Sequence, residues 1–154
     1  MKKIILSLTI CLLVSSAVCS QKKTANEITL NWEPTFKKAL KKAKKEKKPI
    51  LIYFTGSDWC SPCKILDKNL FHTEKFKEIA DRDLILYEAD YPRNKDLVTP
   101  EKLEVTYKLK EKYNVKGFPT LVFVDHQGAE IVCKKGLLIT EYYYPFIESV
   151  IEQY

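Results

Sequence analysis

Apolar positions along the chain switch between two periods, and the switches mark out alternating strands and helices. Pro49-Ile50-Leu51-Ile52-Tyr53-Phe54 is an unbroken apolar, β-prone run, the pattern of a strand covered on both faces. Ahead of it Phe36, Ala39, Leu40 and Ala43 recur at helical spacing, which predicts a helix that opens near Pro34 and stops before Pro49. Earlier still, Ile28 and Leu30 alternate with polar neighbours and suggest a short strand into Trp32. After the central strand, Thr55-Gly56-Ser57-Asp58 permits a turn, and a helix follows from Trp59 to about residue 70. A helical piece over 73–80 with Thr73 as N-cap precedes a second apolar strand, Leu84-Ile85-Leu86-Tyr87. Residues 90–100 read as loop, and Leu103, Tyr107, Leu109 and Tyr113 lie on a charged helix that ends near Asn114. A strand over 120–125, a turn at His126-Gln127-Gly128, a strand over 129–133 and a helix over 140–152 complete the chain. The order β-α-β-α-β-α-β-β-α predicts an α/β fold with a mixed central sheet, helices on both faces and a site at the carboxyl end of a strand.

The first twenty residues break this alternation. Lys2 and Lys3 precede an apolar stretch over 4–14 and small residues over 15–20, the pattern of an export signal. The apolar stretch falls short of the roughly 20 residues that span a bilayer. Cleavage after Ser20 would release a soluble periplasmic protein with a polar leader over 21–31 and one domain over 32–154. In a rival reading Cys19 becomes the lipid-anchored first residue, although Ser16 and Val18 suit that cleavage poorly. Either route ends outside the cytoplasm.

Composition adds little to the fold and more to the partners. A chain of 154 residues with 45% apolar content suits one ordinary domain. The formal net charge of +6 is concentrated between Lys37 and Lys48, where the helical apolar stripe beneath the lysines marks a solvated helix face. No nucleic-acid motif accompanies it.

Cysteine usage supplies the chemistry. Cys11 and Cys19 fall in the export signal, which leaves Cys60, Cys63 and Cys133, an odd number that argues against a framework of structural disulfides. Cys60 and Cys63 stand where strand meets helix, in Trp59-Cys60-Ser61-Pro62-Cys63-Lys64. A thiol reacts as thiolate, with an ordinary pKa of about 8.5, and the orphan amides and positive dipole end of a helix start favour that form. Cys63, three residues on, is within disulfide reach, and Pro62 stiffens the turn. Cys60 would attack a partner's disulfide and Cys63 would resolve the mixed disulfide. Half of a zinc site is the rival reading, but Cys133, His72 and His126 form no second half at recognised spacing, so neither a metal nor another cofactor is expected. Cys133, on a strand, reads as an inert core thiol, and both histidines as surface loop residues. Trp59 suits equally a core position and the rim where a partner docks.

Strand, Trp-Cys-x-Pro-Cys-Lys and helix in this order resemble the thioredoxin family over residues 32–154. A second motif, Tyr113-Asn114-Val115-Lys116-Gly117-Phe118-Pro119-Thr120-Leu121, is similar to that family's approach to its cis-proline, followed by Gly128, a strand, Gly136 and a final helix. The resemblance implies a three-layer sandwich, a cis Phe118–Pro119 bond, packing of the Pro119 and Thr120 loop near the dithiol, and substrate contact through Trp59, Phe118 and Pro119. It also implies protein disulfides as substrates, an electron donor in the membrane or envelope, and a chain that works as a monomer. Ser-Pro between the cysteines is closer to the reducing members than to the strong oxidants, so a protein-disulfide reductase is expected. The alternatives are a dedicated donor to cytochrome c maturation, a peptide-binding module and a copper carrier. One departure stands out. The family's buried aspartate and its lysine neighbour are replaced by Tyr53 and Leu86, which leaves Asp58 or Glu88 as candidate proton acceptors.

Overall fold

The computed structural model describes residues 28–154. The expected export signal, and the leader as far as residue 27, lie outside them. Helix α1 (Phe36–Glu46) starts where the Thr35 hydroxyl accepts the Lys38 amide at 3.2 Å and ends at Lys47, whose backbone turns left-handed. Ala39 and Ala43, both fully buried, form its sheet side and let the helix backbone approach the strands, while Lys37, Lys38, Lys41, Lys44 and Lys45 face outward. The lysine run is a solvated helix face, as its periodicity predicts.

Strand β1 (Ile50–Thr55) is buried along its whole length and lies at the centre of the sheet. It pairs in parallel with β2 (Ile85–Asp90) and antiparallel with β3 (Thr120–Val124), which pairs antiparallel with β4 (Glu130–Lys135), giving the order β2-β1-β3-β4. Strand alternation then sorts side chains to two faces. Leu51, Tyr53, Leu86, Leu121 and Phe123 join α2 (Ser61–Leu66), α3 (Glu74–Asp83) and α5 (Tyr143–Gln153) in one core. Ile50, Ile52, Phe54, Ile85, Tyr87, Val122 and Val124 join α1 and α4 (Pro100–Lys112) in the other. The result is the predicted three-layer α/β sandwich with a mixed sheet.

Three local differences from the sequence pattern have physical causes. The strand expected before Trp32 is reduced to a single bridge, Trp32 to Leu86, because the Trp32 amide turns back to the Leu30 carbonyl at 3.1 Å and interrupts the ladder. β2 runs three residues past Tyr87, through Glu88, Ala89 and Asp90, whose polar or small side chains hide a strand that backbone pairing with β1 sustains. The helix expected to reach residue 70 becomes α2 followed by one π-helical turn, Asp67–Phe71. That wider turn buries the adjacent pair Leu70 and Phe71 together, which ordinary helical spacing would swing apart. Thr73 caps α3 as expected, with its hydroxyl 3.2 Å from the Phe76 amide. No helix among the described residues is long and apolar enough to cross a membrane.

Candidate active site

β1 delivers the chain into the turn that carries the dithiol. A Cβ at Gly56 would lie 2.5 Å from the Trp59 ring, so the indole rests directly on backbone that only glycine leaves open. The Gly56 carbonyl accepts the amides of Trp59 at 3.1 Å and Cys60 at 2.8 Å. Contacts from the end of β2 and the residues that follow it brace this turn. Asp90 accepts the Ser57 amide and hydroxyl at 2.9 and 2.6 Å, and the Trp59 indole donates to the Tyr91 carbonyl at 2.9 Å. Asp58 accepts the Arg93 and Asn94 amides at 3.0 and 2.9 Å. The Asn94 amide, then that of Arg93, holds the Asp58 carboxyl below the usual carboxylate range, so the ionised form of Asp58 suits its place as a cap on these amides.

Cys60 is the N-cap of α2, and Pro62 lies exposed in its first turn. Cys60 and Cys63 form a disulfide with their Cα atoms 5.2 Å apart. The Cys63 amide donates to the Cys60 sulfur at 3.2 Å, so the helix start aims a hydrogen-bond donor at the sulfur expected to carry negative charge. Cys60 retains 3% of its surface while Cys63 retains none, which opens the pair to solvent on the Cys60 side alone.

The second motif meets the first through aromatic rings. The Phe118–Pro119 bond is cis. The Thr120 hydroxyl donates to the Gly117 carbonyl at 2.8 Å, and the Gly136 amide to the Pro119 carbonyl at 2.8 Å, fixing a loop in which Pro119 and Thr120 are buried. The Phe118 ring stands edge-on to Trp59 at 5.7 Å and stacks with Tyr91 at 5.8 Å. Trp59 is half-buried, at the rim of the core beneath α2, α3 and α5 and packed against it. Tyr91, Arg93 over the Trp59 ring and Lys95 over the Tyr91 ring extend that rim, and the sequence pattern singled out none of them. Tyr107, on the apolar stripe of its helix, is nonetheless 42% exposed with its ring against Tyr91.

Behind the disulfide lies a polar layer. Tyr53 is fully buried, and its hydroxyl donates to the Cys63 carbonyl at 3.3 Å. Burial pushes the Tyr53 hydroxyl far above the ordinary tyrosine range, so it stays neutral. Burial also raises Asp67, with Tyr53 and then His72 opposing. Glu88, the register partner of Tyr53 on β2, is raised by burial as well, against Lys102 at 4.0 Å. Asp67 went unremarked in the sequence pattern, although its place four residues after Cys63 puts it near the same helix face.

The remaining candidates stand apart. Cys133 is a half-buried free thiol opposite Val122, packed against the α1 and α4 side of the sheet and so on the other face from the dithiol. His72 is exposed at the end of the π turn, and His126 is half-buried in the turn between β3 and β4. Among the described residues no group of three or more His, Cys, Asp or Glu could hold a metal ion.

Comparison with known proteins agrees with this geometry. A thioredoxin-like domain model matches residues 36–151. The chain belongs to the thioredoxin-like family. This thioredoxin-like protein is 33% identical over 132 residues to the disulfide bond reductase DsbH of Chlamydia pneumoniae, covering 79% of the chain and 78% of the relative. A solved DsbH oxidoreductase superposes with a TM-score of 0.72 at 30% identity, covering 90% of the chain and 95% of that structure. The thiol:disulfide interchange protein DsbD of Yersinia pestis is 34% identical over 93 residues, which are 60% of the chain but only 14% of that longer protein.

Proposed function

We propose that this thioredoxin-like protein is an exported thiol–disulfide oxidoreductase that reduces protein disulfides, with Cys60 as nucleophile and Cys63 as resolving thiol. The observation that carries the reading is the Cys60–Cys63 disulfide at the start of α2, open to solvent only at Cys60. In the reduced form the Cys60 thiolate, favoured by the Cys63 amide, attacks a partner's disulfide. One partner sulfur leaves, and Cys63 then attacks Cys60 and frees the other. The Trp59 and Phe118 rim beside the cis-proline loop receives the partner as an extended segment, with Pro62 holding the dithiol turn and Thr120 the proline loop.

Direction and place rest on separate supports. The reductase name of the Chlamydia relative and the Ser61-Pro62 pair between the cysteines favour the reducing direction. Lys2, Lys3 and the apolar stretch that follows favour export to the periplasm, in soluble form or anchored through Cys19. Outside the cytoplasm a dithiol stays reduced only if an electron donor in the membrane or envelope recharges it. Insulin reduction with dithiothreitol as electron source tests the activity. The wild-type chain should precipitate the insulin B chain and the Cys60→Ser variant should not. A reduction potential near that of the strong oxidants, about −120 mV, would overturn the reducing direction.

A further inference from the structure

Four aromatic rings run outward from the dithiol in an unbroken line. Trp59 meets Phe118 at 5.7 Å, Phe118 meets Tyr91 at 5.8 Å, and Tyr91 meets Tyr107 on α4 at 5.2 Å. Three cations lie over their faces. The Arg93 guanidinium is 5.2 Å from the centre of the Trp59 ring, the Lys95 ammonium is 4.6 Å from that of Tyr91 and 5.9 Å from that of Tyr107, and the Lys110 ammonium is 5.8 Å from that of Tyr91. We propose that this strip binds the acidic flank of the partner's disulfide cysteine, so that proteins with Asp or Glu beside a reducible disulfide are the preferred substrates.

A ring face holds a cation in place without neutralising it. Lys95 is pinned further by donating to the Pro92 carbonyl at 2.6 Å. Among the described residues no ion pair includes Arg93, Lys95 or Lys110, although Lys102 and Lys108 on the same helix as Lys110 pair with Glu88 and Glu104. Asp96 and Glu111, next to Lys95 and Lys110 in sequence, do not pair with them. Asp58 acts on Arg93 electrostatically while its carboxyl accepts the Arg93 and Asn94 amides, so it offsets one of the three charges. Lys95 and Lys110 keep theirs. Arg93 and Lys95 are exposed and Lys110 is half-buried, which leaves all three within reach of a docked partner.

The dimensions suit an extended segment. At about 3.3 Å per residue, the line of rings from Trp59 to Tyr107 spans at most about five residues of a bound strand, so the recognised carboxylates lie within that distance of the cysteine that Cys60 attacks. Side chains already held over rings lose little freedom when they pair with those carboxylates. The strip is continuous with the Trp59 and Phe118 rim, and this favours a protein segment over an anionic lipid surface, because a bilayer laid on it would cover the dithiol.

The role of the strip rests on the dithiol chemistry proposed above, and charged peptides keep the two apart. The reduced full-length chain is mixed with symmetrical disulfides of three peptides of equal length, which carry two Glu, two Gln or two Lys within five residues of their cysteine. Each turnover oxidises the dithiol and frees two peptide thiols, which chromatography counts. At about 20 mM salt the Glu peptide should be reduced about 10-fold faster than the Gln peptide and the Lys peptide more slowly than both, whereas at about 1 M salt, with a screening length of about 3 Å, the rates should converge. Lys95→Gln with Lys110→Gln should bring the ratio of Glu to Gln rates close to one, and Lys95→Glu with Lys110→Glu should reverse the order of the Glu and Lys peptides. Taking the ratio cancels any effect of these changes on the Cys60 thiolate itself. Lys41→Gln with Lys45→Gln, which removes the same charge from the outward face of α1, should leave the ratio at its wild-type value. Equal rates for the three peptides at low salt, or a preference that outlasts the loss of Lys95 and Lys110, would overturn the assignment while leaving the dithiol chemistry intact. So would binding to phosphatidylglycerol vesicles that depends on Lys95 and Lys110 and comes without a peptide preference. Reduction of none of the peptides would overturn both.

Discussion

The Trp59 indole lies where a side chain on Gly56 would have to go. Because a methyl group at Gly56 would stand 2.5 Å from indole atoms, Gly56→Ala must displace the ring or bend the turn. The variant should lose roughly 1–3 kcal/mol of stability, as overpacked sites do. It should also weaken the indole bond to the Tyr91 carbonyl, and insulin reduction should fall together with the near-ultraviolet dichroism of the site tryptophan. Residues of this kind were legible in the sequence when their chemistry is local. Cys60, Pro62 and Cys63 occupy one helical turn, and Phe118 and Pro119 sit next to each other. Asp90 and Tyr91 were not legible, because their partners Ser57 and Trp59 lie 33 and 32 residues away in sequence and meet them only when β2 pairs with β1. Asp67 is intermediate. Its spacing from Cys63 was readable, but its place on a π turn was not.

Among the elements, the join between the π turn and α3 decides how the dithiol helix is held. The Thr73 hydroxyl contacts the Phe76 amide at 3.2 Å, the Leu70 carbonyl at 2.7 Å and the Tyr144 hydroxyl at 2.9 Å, so one cap ties the π turn, α3 and α5 together. Thr73→Ala should therefore cost at least the ordinary cap value of about 1 kcal/mol. Urea unfolding should show this as a lower midpoint with an unchanged slope. The cap was readable from sequence because a threonine ahead of a helical stripe is a local signal. The π turn was not, since Leu66, Leu70 and Phe71 fit an ordinary amphipathic helix until both Leu70 and Phe71 must be buried. The true end of β2 was also hidden. Glu88 and Asp90 look like the start of a loop, and only pairing with Tyr53 and Thr55 makes them strand.

Over the whole molecule, the sheet separates the thiols. Tyr53, Cys60 and Cys63 belong to the core beneath α2, α3 and α5, whereas Cys133 packs on the α1 and α4 side. The alternation of apolar runs and helical stripes was sufficient to predict this layering, because a strand such as β1, whose run from Ile50 to Phe54 carries no charge, must be covered twice. The separation also gives the Cys60 assignment a clean test. When the Cys63→Ser variant meets a protein disulfide such as insulin, the first attack should proceed and the resolving step should be lost, so the adduct persists. Mass spectrometry of the trapped species, with peptide mapping, is the most direct measurement of the central claim. The account predicts one insulin chain bound through Cys60 and released by dithiothreitol. Recovery of no adduct, or of one carried by Cys133 instead, would contradict it.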